Sequence, residues 1–281
     1  MSLNIASLNS GSNGNCYYVG NDEHAVLVDA GLSCREFEKR MLRLGLEVGR
    51  IRAILISHEH SDHIFGLQTL SKKYQLPVYI TAPTCAGSGL NIPSHLIREF
   101  SPHEEIQFGN ISVLAFPKFH DACDPHSFLI RSASITIGVF TDIGRVCQSL
   151  IDHFKLCNAA FLEANYDEEM LAKGRYPHYL KNRIRGGKGH LSNLQALELF
   201  LDHRPAFMSH LVLSHLSKEN NHPDLVQQLF RQHAGCAEIT VASRYEETAL
   251  LKIDHTSLPP FTSPIPFISP RPRRNRQLTL F

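Results

Sequence analysis

The 281-residue sequence contains no tryptophan and no Cys-x-x-Cys pair. It also lacks an apolar run near the roughly 18 residues that a membrane span requires. Its seven cysteines are scattered and odd in number, which argues against a disulfide framework and a structural zinc knuckle. The N-terminal residues lack the basic-then-apolar pattern of a secretory signal, so we expect a cytoplasmic protein without a membrane anchor. The net charge is +1, which indicates no particular partner.

Histidine, by contrast, is abundant, with 17 residues in the chain, and this raises the expectation of metal or proton chemistry. A dense group of ligand-type residues, directly after the apolar segment 51–56, consists of His58, His60, Asp62 and His63. Imidazole and carboxylate groups suit zinc, manganese or iron. Two sets of ligands within so short a segment predict a site for two divalent metal ions.

Hydrophobic patterning predicts two mixed β-sheets packed face to face with helices outside, an α+β fold, over residues 1–255. Strands are predicted at 3–8, 16–20, 25–29, 51–56, 78–81, 106–108, 111–116, 127–130, 135–140, 159–163, 207–213 and 238–242. Helices are predicted at 33–44, 62–74, 145–156, 191–201 and 224–233. Residues 256–281 are rich in proline, contain four arginines and have no acidic residue, so we expect a disordered tail.

Three further ligand-type residues each come shortly after a predicted strand: His120, Asp142 and His215. A single histidine or aspartate in such a place is usually solvated or hydrogen-bonded to the protein. Three of them in succession favour the remaining ligands of a two-metal site. His126 is an alternative to His120 for the ligand of the middle segment.

The order of these residues resembles the metallo-β-lactamase-fold superfamily of hydrolases over about residues 1–245. The resemblance implies a four-layer αββα sandwich with two metal ions. It implies the following roles: His58, His60 and His120 on one ion, Asp62, His63 and His215 on the other, Asp142 bridging both, and Asp29 supporting the ligand loop from behind. Asp121-Ala122 after His120 resembles the nuclease branch and favours His120 over His126.

Four longer motifs are similar to the YycJ (WalJ)-like branch of the superfamily. They are LNSGSNGNC at 8–16, EANYD at 163–167, GHLSN at 189–193 and HLSKENNHP at 215–223. This branch contains bacterial exonucleases that act on DNA and are implicated in mismatch repair. The resemblance therefore implies a DNA exonuclease, with 5′-to-3′ polarity taken from the family.

Two metal ions activate water and hold a phosphate group for attack, so no serine or cysteine nucleophile is required. His190, after the glycine-rich segment 186–189, is the candidate proton donor to the leaving oxygen. Asp62 is assigned both as a metal ligand and as a catalytic residue. Ser192 and Asn193 stand at a predicted helix start, where a phosphate would meet backbone amides.

A basic strip at 173–188 contains six Lys and Arg residues and no acid. This composition favours contact with a phosphate backbone without base readout. The predicted substrate-binding residues come from this strip, from the glycine-rich loop 10–15 and from segments after strands: Ser12, Asn15, Glu163, Asn165, Arg183, Arg185, Ser192 and Asn193.

The last five residues, QLTLF, resemble the short peptide by which bacterial replication and repair proteins dock on the sliding clamp. Gln277, Leu278, Leu280 and Phe281 would make the contacts, with the apolar residues as anchors. The sequence thus predicts a DNA exonuclease tethered to the clamp. Two alternatives remain open: a small-molecule phosphodiester or ester hydrolase of the same fold, and a non-catalytic clamp adaptor.

Overall fold

A computed structural model describes residues 2–254, which form two seven-stranded sheets packed face to face. The first sheet contains β1 (Leu3–Asn9), β2 (Cys16–Gly20), β3 (Ala25–Val28), β4 (Ile51–Leu55), β5 (Val78–Tyr79), β6 (Ile97–Arg98) and β14 (Leu251–Ile253), in the order β14-β1-β2-β3-β4-β5-β6. The second contains β7 (Glu105–Phe108), β8 (Ile111–Pro117), β9 (His126–Ser132), β10 (Ile135–Phe140), β11 (Ala159–Glu163), β12 (His210–Ser214) and β13 (Glu238–Val241), in the order β13-β12-β11-β10-β9-β8-β7. The expected tail and its docking peptide lie outside the described residues.

Helices connect the strands and lie outside the two sheets. They are α1 (Cys34–Arg43), α2 (Ser61–Ile64), α3 (Leu67–Tyr74), α4 (Ala82–Ser88), α5 (Gln148–Phe154), α6 (Glu168–Lys173), α7 (His178–Arg185), α8 (Asn193–His203) and α9 (Pro223–Arg231). In α1, Ser33 caps the first turn by accepting from the Glu36 amide, and Phe37 and Met41 are buried. Burying side chains of this size contributes about 1.5–3 kcal/mol each.

Three apolar cores separate the layers, because successive side chains of a strand point to opposite faces. In β3, Val26 and Val28 join the core between the sheets, and Leu27 joins the core under the helices of the first sheet. In β11, Phe161 faces the central core and Leu162 faces α5, α8 and α9. The predicted αββα sandwich is confirmed.

The structure corrects several predicted elements. The helix predicted at 62–74 is two helices, because the chain turns at Gly66, whose amide donates to the Ala30 carbonyl. A Cβ at Gly66 would lie 1.7 Å from the Leu32 carbonyl oxygen, so only glycine fits. Helix α5 begins at Gln148 rather than at 145. Hydrophobic patterning missed α4, α6, α7, β6 and β14. Helix α7 buries no side chain and β6 has only two residues, so neither shows a clear hydrophobic period.

Both sheets are mixed. In the first sheet β3 runs parallel to β4, and in the second sheet β11 runs parallel to its neighbours β10 and β12. Ligand sites in such sheets form at the carboxyl ends of the parallel strands. Among residues 2–254, none of the helices has the length and apolar character needed to cross a membrane. All seven cysteines lie in this range and are unpaired.

Candidate metal centre

The site residues follow the carboxyl ends of strands from both sheets. Asp29 follows β3, His58 follows β4, His120 follows β8, Asp142 follows β10, Glu163 ends β11 and His215 follows β12. Three of these residues have left-handed backbone conformations: Asp29 (φ 61°), Asp142 (φ 55°) and His215 (φ 56°). Aspartate and histidine are among the residues that tolerate this region best. Backbone strain of this kind concentrates at functional sites.

A first group of donors consists of three imidazoles. His60 Nδ1 lies 3.0 Å from His58 Nε2 and 3.3 Å from His120 Nε2. The other ring nitrogens are occupied, since His58 Nδ1 lies 2.9 Å from Ser57 Oγ and His120 Nδ1 lies 3.1 Å from the Gly189 carbonyl. Three ring nitrogens therefore face one another, an arrangement that suits a shared cation.

A second group combines a carboxylate with two imidazoles. Asp62 Oδ2 lies 3.5 Å from His63 Nε2 and 3.4 Å from His215 Nε2. His63 Nδ1 donates to Asp29 Oδ2 at 2.7 Å, and His215 Nδ1 donates to Glu163 Oε1 at 3.0 Å. Each imidazole is thus held from behind by a carboxylate, the support that metal-binding histidines usually have.

Asp142 lies between the two groups. Its Oδ1 is 3.7 Å from His120 Nε2, and its Oδ2 is 3.1 Å from His63 Nε2. The side chain is buried, and imidazoles of both groups surround its carboxylate. A buried carboxylate is costly unless protons on those imidazoles or a bound cation compensate its charge. The donor set therefore fits divalent metal ions, with Asp142 reaching both groups.

The electrostatics of the two groups differ. Burial lowers the pKa of His58 well below its ordinary value, aided by His63 and Lys118, so that imidazole is neutral. Burial also opposes protonation of His63, but Asp142, Asp29 and Asp62 outweigh it and raise its pKa well above the usual range. Burial likewise lowers the pKa of His215, but Asp142, Asp62 and Glu163 outweigh burial and raise this pKa to about 10. The carboxylates around the second group thus create a negative potential that favours positive charge there, either protons on the imidazoles or a metal ion in their place.

Asp29 supports both groups. Its Oδ1 accepts from the Ser57 amide at 2.8 Å, and its Oδ2 accepts from Ser57 Oγ at 2.9 Å as well as from His63. Ser57 Oγ in turn accepts from His58 Nδ1, so one buried carboxylate orients two imidazoles. Asp29 thus contacts the segment that carries the donors, and the supporting role that the resemblance implies for it stays a prediction.

Sequence reasoning missed Ser57 and Lys118. Lys118 is buried, and its ammonium donates to the Thr141 carbonyl at 2.7 Å, directly before Asp142. Burial lowers the pKa of Lys118, while Asp142 and Asp29 oppose that shift. A lysine at the end of an apolar strand, two residues before a candidate ligand, was the available signal. Lys118 holds the turn that presents Asp142.

Next to the donors lies a cavity of about 190 Å³, here called the site cavity. Five predicted site residues line it: Ser12, Asn165, Arg183, His190 and His215. Asp121 and Tyr176 also line it. His190 Nδ1 donates to Glu163 Oε1 at 2.8 Å, and Arg183 Nε donates to Asp121 Oδ2 at 2.5 Å.

Two predicted substrate contacts face the donors instead. Asn15 is fully buried, and its Nδ2 lies 3.1 Å from both Asp62 Oδ2 and His63 Nε2. Glu163 is also fully buried, and its Oε2 accepts from the Ile143 and Leu191 amides at 2.7 and 3.2 Å. Both residues therefore position metal-site side chains rather than line the site cavity.

Three other predicted substrate contacts lie elsewhere. Ser192 is buried, caps α8 by accepting from the Gln195 amide, and donates to Glu168. Asn193 is buried and hydrogen-bonded to Asn221, and Arg185 is exposed and donates to Asn182. The helix start has its own side-chain cap, so a phosphate is not needed there.

Comparison with known proteins agrees with this geometry. The profile of the metallo-beta-lactamase superfamily matches residues 10–115. Exodeoxyribonuclease YycJ of Bacillus anthracis is 39% identical over 235 residues, which cover 83% of this chain and 89% of the relative. Exodeoxyribonuclease WalJ of Streptococcus pneumoniae serotype 2 is 32% identical over 240 residues, covering 81% and 88%. The crystal structure of the metallo-beta-lactamase fold protein YhfI from Bacillus subtilis matches with a TM-score of 0.68 at 17% identity, covering 89% and 98%.

The αββα sandwich carries buried histidine and aspartate groups at the carboxyl ends of its strands. Together they define a metal-dependent hydrolase of the metallo-β-lactamase fold. The similarity to YycJ and WalJ extends over more than four-fifths of each chain, and this narrows the class. The chain belongs to the YycJ-like branch of the metallo-β-lactamase superfamily.

Proposed function

We propose that this protein is an exodeoxyribonuclease, a phosphodiesterase that uses two divalent metal ions to remove nucleotides from a DNA end. The observation that carries the proposal is the position of Asp142, whose carboxylate lies between the two groups of donors, 3.7 Å from His120 of the first and 3.1 Å from His63 of the second. The names of the two similar relatives support DNA as the substrate. The 5′-to-3′ direction and a role in mismatch repair extend the proposal from the family resemblance.

The donor atoms assign a place to each ion. His58, His60 and His120 would hold one, Asp62, His63 and His215 the other, and Asp142 would contact both. When bound, such ions activate water at neutral pH and offset the negative charge of the phosphoryl group. Nitrogen and carboxylate donors suit zinc and manganese, and they also permit iron.

His190 supplies the proton that the leaving sugar oxygen needs. Its Nδ1–H donates to Glu163, so Nε2 is the nitrogen that remains for proton transfer. Glu163 is itself held by two backbone amides and cannot turn away. A histidine at the wall of the site cavity, fixed in one orientation, meets the geometric requirement for a general acid.

The size and lining of the site cavity support action at a chain end. Its volume of about 190 Å³ is below the roughly 300–1,000 Å³ of typical ligand pockets. It therefore accommodates the phosphodiester and part of one nucleoside, and the rest of a polymer must lie outside it. Arg183 at its wall offers a positive charge for the DNA backbone.

An assay on end-labelled substrates tests the proposal. With manganese or zinc present, we expect the full-length protein to release nucleotides from linear DNA and to leave covalently closed circular DNA intact, since a circle has no end. RNA and thymidine 5′-monophosphate p-nitrophenyl ester complete the substrate set. Activity on the small ester alone would favour the small-molecule hydrolase, which the small site cavity also permits. Absence of polymer cleavage with zinc, manganese and magnesium would exclude a nuclease.

We further propose that Gln277–Phe281 docks on the bacterial sliding clamp and tethers the enzyme to newly replicated DNA. These residues lie outside residues 2–254, so the proposal rests on the sequence QLTLF and on the proline-rich segment before it. Burial of Leu280 and Phe281 in a groove would supply the anchor energy, about 1.5–3 kcal/mol for each side chain.

Deletion of Gln277–Phe281 should abolish binding to the isolated clamp, measured by surface plasmon resonance, without changing nuclease turnover on free DNA. The double variant Leu280→Ala/Phe281→Ala is the matched control, because it retains chain length and should lose the same binding. Undiminished clamp binding by either variant would refute the tether.

A further inference from the structure

A second cavity, of about 410 Å³, adjoins the site cavity. We call it the outer groove; its lining includes Phe119, Asp121, Arg145, Arg183, Gly187 and Lys188. Asp121 and Arg183 line both cavities, so their ion pair forms the shared wall. The outer groove is therefore continuous with the place where the proposed reaction occurs.

Three loops that carry site residues also build the outer groove. Phe119 precedes His120, Arg145 follows Asp142 by three residues, and Lys188 precedes His190 by two. These loops are in direct contact: the Gly144 amide donates to the Phe119 carbonyl at 2.6 Å. A Cβ at Gly144 would lie 2.5 Å from the Lys188 Cα, so glycine is required for the approach. The groove is thus held in a fixed relation to the metal donors.

The chemistry of the outer groove suits a nucleic-acid strand. Arg145, Arg183 and Lys188 are exposed cations, and Asp121 is the only carboxylate in the described lining. The Arg145 guanidinium lies 3.8 Å from the centre of the half-exposed Phe119 ring. Cations beside an aromatic face are the combination that proteins use to hold phosphates and stack bases of a single strand.

We propose that the outer groove binds the DNA strand that continues beyond the nucleotide held in the site cavity. Arg145 and Lys188 contact backbone phosphates, and the Phe119–Arg145 pair stacks against a base. This assignment rests on the proposed nuclease function and adds the path of the substrate. It gives the part of a long polymer that does not fit in the small site cavity a place to bind.

The double variant Arg145→Gln/Lys188→Gln removes both charges and keeps side-chain length. Its KM for a single-stranded oligonucleotide should rise about tenfold. The salt dependence should weaken, with the slope of log(kcat/KM) against log salt falling by about 1.4 for two lost phosphate contacts on a single strand. For thymidine 5′-monophosphate p-nitrophenyl ester, which is too short to reach the groove, kcat/KM should stay within about twofold of the wild-type value.

Arg52→Gln/Arg231→Gln is the matched control, with the same change in net charge. Arg52 stands near the start of β4 and Arg231 ends α9, both exposed and both at the edge opposite the metal donors. This control should behave like wild type with both substrates. An unchanged oligonucleotide KM for the groove variant, or equal losses with both substrates, would refute the outer groove as the strand path.

The two proposals fail in different ways. If the wild-type protein cleaves the nucleotide ester and no DNA, the proposed nuclease function is wrong, and so is the strand path that rests on it. If the wild-type protein cleaves DNA and the groove variant matches it in KM and salt slope, only the strand path is wrong.

Discussion

Replacing Asp142 by asparagine should lower kcat/KM on DNA by about a thousandfold or more. The carboxylate is buried and lies between both groups of donors, with Oδ2 3.1 Å from His63 Nε2 and Oδ1 3.7 Å from His120 Nε2. An amide has the same shape without the charge that would hold two cations. The metal content of the purified protein, measured by inductively coupled plasma mass spectrometry, should fall together with activity.

The backbone at Asp142 makes asparagine the informative change. Its φ of 55° lies in the left-handed region, which asparagine tolerates and alanine does not. Asp142→Ala adds backbone strain of about 1–2 kcal/mol, so it confounds loss of chemistry with loss of stability. Asp202→Asn on the exposed end of α8 is the control for charge removal. Full metal content and full turnover in Asp142→Asn would show that this carboxylate holds no ion.

The sandwich and the edge that carries the site could be predicted from the sequence, because both depend on local patterns. Largely apolar strands such as 51–56 and 135–140 are short, and each is followed within two residues by a ligand-type residue. His58 and Asp142 each follow such a strand, and their order resembles that of the superfamily, so both were expected in one metal site. More than 80 positions separate them in the chain.

The direction in which a side chain points could not be predicted, and this explains the misplaced substrate contacts. Asn15 and Glu163 stand at the expected edge, but each turns inward because groups from distant segments hold it. Asn15 Nδ2 contacts the side chains of Asp62 and His63, and the Ile143 amide donates to Glu163. Such contacts depend on the tertiary structure and leave no period in the sequence.

Ser192 is a different case, because the sequence alone indicates its role as a helix cap. Ser192 and Gln195 form the S-x-x-Q pattern of a capping box, and the structure shows both reciprocal hydrogen bonds. A helix start that satisfies its own amides has less need of an anion. The cap pattern therefore outweighs the general preference of helix N-termini for phosphate.

His190→Ala should lower kcat on DNA by about 10²- to 10³-fold, whereas the thymidine p-nitrophenyl ester should be hydrolysed at nearly the wild-type rate. A deoxyribose oxygen is a poor leaving group unless it is protonated, but p-nitrophenolate leaves as a stable anion at neutral pH. Loss of a general acid therefore affects only the first substrate. Added imidazole should restore part of the DNA activity, because the vacated space adjoins the site cavity.

The same variant separates proton donation from metal binding. His190 belongs to a group with Asp142, Glu163 and His215 whose ligand atoms lie within 4.8 Å of one another, an arrangement that also permits a metal ligand. In the structure His190 Nδ1 donates to Glu163 at 2.8 Å, and the proposal gives Nε2 to the leaving oxygen and not to an ion. On that assignment, metal content should be unchanged in His190→Ala. Equal losses on both substrates, accompanied by a lost metal ion, would instead make His190 a ligand and leave the leaving group to be protonated by solvent.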